Sequence, residues 1–101
     1  MPDLKNGLVV DAEGNKRWYK DSLLHREDGP AVEWRDGSKM WFQNGAYHRV
    51  DGPAIEWVNG VKIWWLNDER LGEGAYGFWK LWDRLTPEQR GNPNLLKYLP
   101  R

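Results

Sequence analysis

His25-Arg26-Glu27-Asp28-Gly29-Pro30-Ala31-Val32-Glu33-Trp34-Arg35-Asp36-Gly37-Ser38-Lys39-Met40-Trp41-Phe42 is followed, 23 residues on, by His48-Arg49-Val50-Asp51-Gly52-Pro53-Ala54-Ile55-Glu56-Trp57-Val58-Asn59-Gly60-Val61-Lys62-Ile63-Trp64-Trp65. Eleven of the eighteen positions are identical in register. A fixed period of this length marks a repeat architecture, in which each unit buries its apolar side only by stacking on a neighbour. The period extends outward through Gly14, Gly37 and Gly60, and through Trp18, Trp41 and Trp64. A leading half-unit, Leu8 to Gly14, follows it loosely. After Leu71 it stops, because Gly72, Gly74 and Gly77 stand where Arg, Asp and Ala would recur. The array therefore covers residues 7–70, about two and a half units.

Each unit reads as two antiparallel strands. Asp36-Gly37 and Asn59-Gly60 are expected to form two-residue hairpin turns, with Glu13-Gly14 a weaker version. Such turns would set Val32 opposite Trp41, Glu33 opposite Met40 and Trp34 opposite Lys39, and opposed residues share a face. One face would then carry Val32, Trp34, Lys39 and Trp41, with Ile55, Trp57, Lys62 and Trp64 as their equivalents. The other would carry Ala31, Glu33, Met40 and Phe42. The Asp-Gly-Pro-Ala corners at 28–31 and 51–54 open the second strands.

The last third changes in kind. Gly72-Glu73-Gly74 reads as a hinge-like break. Phe78, Leu81, Trp82 and Leu85 then fall at amphipathic-helix spacing, with Trp79 off the apolar stripe and expected to be exposed. Thr86-Pro87-Glu88-Gln89 is a helix start, with Thr86 as N-cap and Gln89 at the capping-box position. Gly91 can stop that helix, and Asn92-Pro93 can cap another whose apolar side is Leu95, Leu96 and Leu99. A short array needs cover for its sheet, so a helical tail at 75–101 is expected to pack on or cap it. The expected fold is a single mainly-β domain over 1–101: an antiparallel meander with a short α-helical C-terminal cap.

Composition excludes several functions. Lys+Arg and Asp+Glu are 15 each, so no basic excess points to a nucleic acid. The same neutrality, without a polybasic stretch, argues against a lipid surface. Without cysteine there is neither a disulfide framework nor a cysteine zinc site, and two histidines cannot build a histidine-rich metal site. No apolar run approaches the ~18 residues of a membrane span, and the first residues lack the apolar core of a signal peptide. A cytoplasmic location is expected. The outlier is tryptophan, eight in 101 residues.

The two-strand unit, the Asp-Gly and Asn-Gly turns, the periodic aromatics and the His after each turn resemble the MORN repeat family. The likeness is to bacterial and phage MORN-like variants, including antitoxin-type proteins, over about two thirds of the chain. The usual His-Gly-x-Gly is replaced here by His25-Arg26-Glu27-Asp28-Gly29-Pro30-Ala31. The resemblance implies an elongated meander that binds proteins, or by another proposal lipid headgroups. It implies no catalytic residue.

Repetition of a residue is a sign of structure first. His25 and His48 would lie two strands apart, ~9.5 Å, too far to share a metal. Each instead packs on an aromatic or bonds a loop. Arg26 and Arg49 either pair with Asp28, Asp51, Glu33 and Glu56, or form a row that holds an anion or a partner's carboxylates. Trp18, Trp41 and Trp64 read as core, while Trp34, Trp57, Trp65 and Trp79 are candidates for a binding surface. Glu33 and Glu56 repeat with the unit and are not read as a catalytic pair, and no other catalytic constellation or cofactor site is present. The chain is expected to be a non-enzymatic binding protein with a protein partner: an inhibitor, antitoxin or immunity-type protein of phage or bacterial origin. A sponge for a nucleotide signal, using Trp stacking and the Arg row, is the alternative. The uncovered edge near Leu8–Val10 makes a homodimer a further expectation.

Overall fold

The computed structural model describes residues 3–101. Ten strands come first: β1 (Gly7–Val10), β2 (Lys16–Lys20), β3 (Leu23–Leu24), β4 (Val32–Glu33), β5 (Lys39–Met40), β6 (Phe42–Gln43), β7 (Ala46–Tyr47), β8 (Ile55–Glu56), β9 (Lys62–Leu66) and β10 (Glu69–Glu73). Three helices follow, α1 (Gly74–Arg84), α2 (Pro87–Arg90) and α3 (Pro93–Leu96). The main sheet has eight strands in the order β1-β2-β4-β5-β8-β9-β10, with β3 also on β2, while β6 and β7 form a separate hairpin. All pairings are antiparallel. The molecule is thus a mainly-β meander, 47 × 29 × 22 Å, with a helical C-terminal region.

The hairpin register differs by one residue from the sequence expectation. Val32 faces Met40 and Glu33 faces Lys39. Likewise Ile55 faces Ile63, and Val10 faces Lys16. Gly14, Gly37 and Gly60 have φ of 89°, 98° and 92°, whereas Glu13, Asp36 and Asn59 are not left-handed. Trp34 N–H donates to the Ser38 carbonyl at 2.9 Å, and Gly37 N–H to the Trp34 carbonyl at 2.9 Å. This is a three-residue loop, a type I turn followed by a left-handed glycine bulge. A slip of one residue exchanges the faces.

Two-residue turns do occur, at three other dipeptides. Asp21-Ser22, Asn44-Gly45 and Asn67-Asp68 each have both φ values positive, between 48° and 83°. They close Lys20 on Leu23, Gln43 on Ala46 and Leu66 on Glu69. Left-handed backbone at two successive positions is the mirror-image turn that suits strand twist.

The corrected register separates two faces. Arg17, Val32, Met40, Ile55 and Ile63 oppose one another in turn, and Trp34, Phe42, Trp57 and Trp65 alternate onto the same side. We name this the Trp34 face. Its core is Ala31, Val32, Met40, Phe42 and Ile55, flanked by Leu24, Trp34, Tyr47, Ile63 and Trp65. The opposite, Trp64 face carries Trp18, Trp41 and Trp64 and a ladder of alternating charge, Lys16, Glu33, Lys39, Glu56 and Lys62.

The tail packs on the Trp64 face. Trp64 is 2% exposed and joins Leu71, Phe78, Leu81, Leu85 and Leu95 in a second core. Phe78 and Tyr98 meet its ring edge-on, with centroids 5.5 and 5.6 Å away. No hinge separates sheet from tail, since Gly72 (φ 139°) belongs to β10 at a bulge and α1 starts at Gly74. Thr86 Oγ1 accepts from Gln89 N–H at 3.2 Å while Gln89 Oε1 accepts from Thr86 N–H at 2.8 Å, closing the expected capping box. Asn92 caps α3, and Leu95 is buried, but Leu96 and Leu99 are exposed.

Candidate functional site

The candidate residues divide between the two faces. On the Trp64 face, Arg26 lies 3.8 Å from the Trp18 ring centroid and Arg49 lies 3.8 Å from that of Trp41. Arg26 Nε donates to Asp28 at 3.1 Å, and its Nη1 to the Pro30 carbonyl at 3.2 Å and to Glu33 at 3.3 Å. Arg49 repeats this with Asp51 at 2.9 Å and the Pro53 carbonyl at 3.0 Å, and Glu56 is 4.0 Å away. Gly29 and Gly52 form the other wall. A Cβ at Gly52 would fall 2.4 Å from the Arg49 Cζ. The His-Arg-x-Asp-Gly-Pro motif therefore builds a slot in which a guanidinium stacks on the tryptophan eight residues before it, in the preceding unit, and cation–π contact contributes about 0.5–2 kcal/mol.

Both arginines border one cleft of about 600 Å³, with Trp41, Gln43, His48 and Asn94. Glu27, Asp28 and Asp51 border it too, so its carboxylates outnumber its arginines. Each arginine already has carboxylate and carbonyl partners there, and neither presents a free two-pronged fork to an anion.

The histidines hold the array together. His25 Nδ1 accepts from the Asn44 N–H at 2.9 Å, and His48 Nδ1 accepts from the Asn67 N–H at 3.0 Å. Each thus anchors the mirror-image turn 19 residues downstream. Nε2 of His25 meets Glu27 at 2.8 Å. Burial lowers the pKa of His48, because the charged imidazole loses solvation. At the first mirror-image turn, Asp21-Ser22, Asn6 Oδ1 does the same work, accepting from the Asp21 N–H at 3.0 Å.

On the Trp34 face, Trp34 and Trp57 border one cleft. With Glu13, Asn15, Arg35 and Asp36 they line its volume of about 630 Å³. Trp57 is 40% exposed, and Arg17 lies 5.1 Å from the Trp34 ring centroid. The residues that order this end were not singled out from sequence. Asn15 Oδ1 accepts from Arg35 N–H at 2.7 Å, and Ser38 Oγ accepts from Val58 N–H at 2.9 Å. Both are buried polar side chains immediately after a turn glycine, and that recurrence at 23 residues was the available signal. Trp65 lies along the same face, half-buried, 4.8 Å from the Tyr47 ring, which is 4.3 Å from Phe42. Trp79 stands apart on α1, 44% exposed, against Phe78 and Trp82.

No family model, curated protein or solved structure matches this chain. No helix among the described residues is long and apolar enough to cross a membrane.

Proposed function

We propose that this chain is a non-enzymatic, cytoplasmic binding protein whose target is another protein, and that the target docks over Trp34 and Trp57. The observation that carries the reading is that these two indoles border one cleft, with Arg35 beside them and Arg17 against Trp34, on the face that the helical tail leaves open. Tryptophan and arginine supply most hot-spot binding energy. The resemblance to phage and bacterial MORN-like proteins supplies the class of target: a toxin or host-defence effector that this chain would antagonise. The nucleotide-sponge reading has less support, because Arg26 and Arg49 are stacked and paired within the Trp64 face.

The test is capture from the source cell followed by native mass spectrometry, repeated with single substitutions. Trp57→Ala is expected to lose about 2 kcal/mol or more of binding, at least thirtyfold in Kd. Trp79→Ala, on the other side of the molecule, is expected to keep it. Capture that survives Trp57→Ala but fails with Trp79→Ala would move the docking surface to α1. An added mass of a few hundred daltons would instead favour the sponge.

A further inference from the structure

The two edges of the main sheet are treated differently. At one end, β10 has the sequence Glu69-Arg70-Leu71-Gly72-Glu73 and carries a bulge between Arg70 and Gly72. Ion pairs Arg70–Glu73 (3.1 Å) and Arg84–Glu69 (2.7 Å) stud it, and α1 continues directly from it. Charge, bulge and adjoining helix are the devices that stop a sheet edge from pairing with another chain. At the other end, β1 is Gly7-Leu8-Val9-Val10, with no charge, bulge or proline, and all four residues are exposed. Leu8 is 50%, Val9 42% and Val10 53% exposed.

The backbone of β1 is set for pairing. Leu8 opposes Trp18, whose N–H donates to the Ala31 carbonyl and whose own carbonyl accepts from His25 N–H. Both peptide groups of Trp18 therefore point away from β1, which makes Leu8–Trp18 a non-hydrogen-bonded pair. The N–H and C=O of Leu8, and by alternation those of Val10, point outward into solvent. Two outward-facing residues separated by one inward-facing residue are self-complementary under a two-fold axis.

We propose that β1 pairs antiparallel with β1 of a second copy of this chain about a two-fold axis through Val9, joining the two sheets into one. Leu8 of each copy exchanges both hydrogen bonds with Val10 of the other. Leu8 packs against Val10 on the Trp64 side and Val9 against Val9 on the Trp34 side. The same register directs Lys5 of one copy toward Glu13 of the other at both ends of the pair. Asp11, the only other charge from Lys5 to Glu13, is already paired with Arg17 at 3.0 Å. A parallel arrangement would set like against like. The second copy is favoured over an unrelated peptide because this edge complements itself in hydrogen bonds, apolar contact and charge at once. The Trp34–Trp57 cleft shares Glu13 with this edge but none of Leu8, Val9 and Val10, so the Leu8 and Val10 amides and Val10→Pro test the pairing separately from the proposed binding.

Sedimentation velocity of the full chain over a concentration series, with amide hydrogen exchange at each concentration, tests the proposal. A dimer is expected, with Leu8 and Val10 amides protected at high concentration and exposed on dilution, and Val9 protected throughout. Val10→Pro removes an outward N–H and is expected to raise the dimer dissociation constant at least tenfold, with the circular dichroism unchanged. Lys5→Glu should weaken the dimer severalfold, and adding Glu13→Lys should restore it. A monomer throughout the series overturns the proposal. So does a dimer in which the Leu8 and Val10 amides exchange freely, or one indifferent to Val10→Pro. If Val10→Pro fails to fold, the wild-type amide pattern still decides.

Discussion

The Arg49 guanidinium is held between two surfaces: the Trp41 ring, whose centroid is 3.8 Å from its Cζ, and the bare backbone of Gly52. Arg26 sits likewise between Trp18 and Gly29, but less tightly, since a Cβ at Gly29 would lie 3.0 Å from Cζ rather than 2.4 Å. Neither glycine needs its freedom of φ; both are required for room.

Gly52→Ala should therefore expel the guanidinium from its stack, at a cost of about 1–3 kcal/mol from lost cation–π contact and hydrogen bonds. Gly29→Ala should cost clearly less, because Arg26 can shift by a few tenths of an ångström. Urea unfolding of both variants measures this, and equal losses would contradict the slot.

His48 gives a pH dependence of definite sign. Its folded pKa lies below 6.5 because burial disfavours the imidazolium, so the unfolded chain takes up the proton first. Stability from this group is present above 6.5 and is lost as pH falls through the folded value. Protonation of Nδ1 also sets one N–H against the Asn67 N–H. His48→Asn, which copies the Asn6 arrangement, should fold and flatten the decline between pH 7 and 5 in urea midpoints. An unchanged slope would show that His48 is not its source.

Asp11 stays ionised to lower pH than an ordinary surface carboxyl. The Asn15 backbone N–H, then the Arg17 guanidinium, hold its pKa down to about 2 from 3.8. Its contribution is present above 3.8 and is lost as pH falls through about 2. Carboxyl-carbon NMR titration should find that value. Arg17→Ala should raise it while leaving it below 3.8, since the backbone donors remain.

Gly77 is where the tail meets the sheet. A Cβ there would fall 2.3 Å from the Gly72 carbonyl oxygen and 2.4 Å from the Trp64 ring. Gly77→Ala should lift α1 from Trp64 and cost about 2 kcal/mol or more. Thermal melts followed by tryptophan fluorescence would show it. The exposed Trp79→Ala on the same helix should change the melting temperature little.

Local chemistry carried much of the fold. The capping box at Thr86 and Gln89, the amphipathic spacing of Phe78 and Leu81, and each turn at Gly14, Gly37 and Gly60 lie between near neighbours in the chain, where composition and spacing suffice. The register did not follow from these. Asp36-Gly37 suits a two-residue or a three-residue loop, and only the pairing of Glu33 with Lys39 shows which it forms. Of the candidate site residues, Trp34 and Trp57 were legible as equivalent positions on one face, but that Trp34 is half-buried while Trp57 is 40% exposed was not. The partners of His25 and Arg26 were legible only in part, because a histidine's acceptor role depends on which turn the next unit lays against it.

The sequence by itself determined that this chain forms antiparallel hairpins with turn glycines at 23-residue spacing and ends in capped helices, because turns, caps and periodicity are short-range properties of the backbone; the further strands β3, β7 and β10, each closed by a mirror-image turn, were not in the two-strand reading. The tertiary structure decided which face each tryptophan occupies. A one-residue choice in loop length exchanges the faces without altering the composition of either strand. It decided also that Trp64, having no arginine 8 residues on to cover it, is covered by Phe78 and Tyr98 instead. Burying an exposed indole favours some apolar cover, but only the packed chain determines which residues provide it.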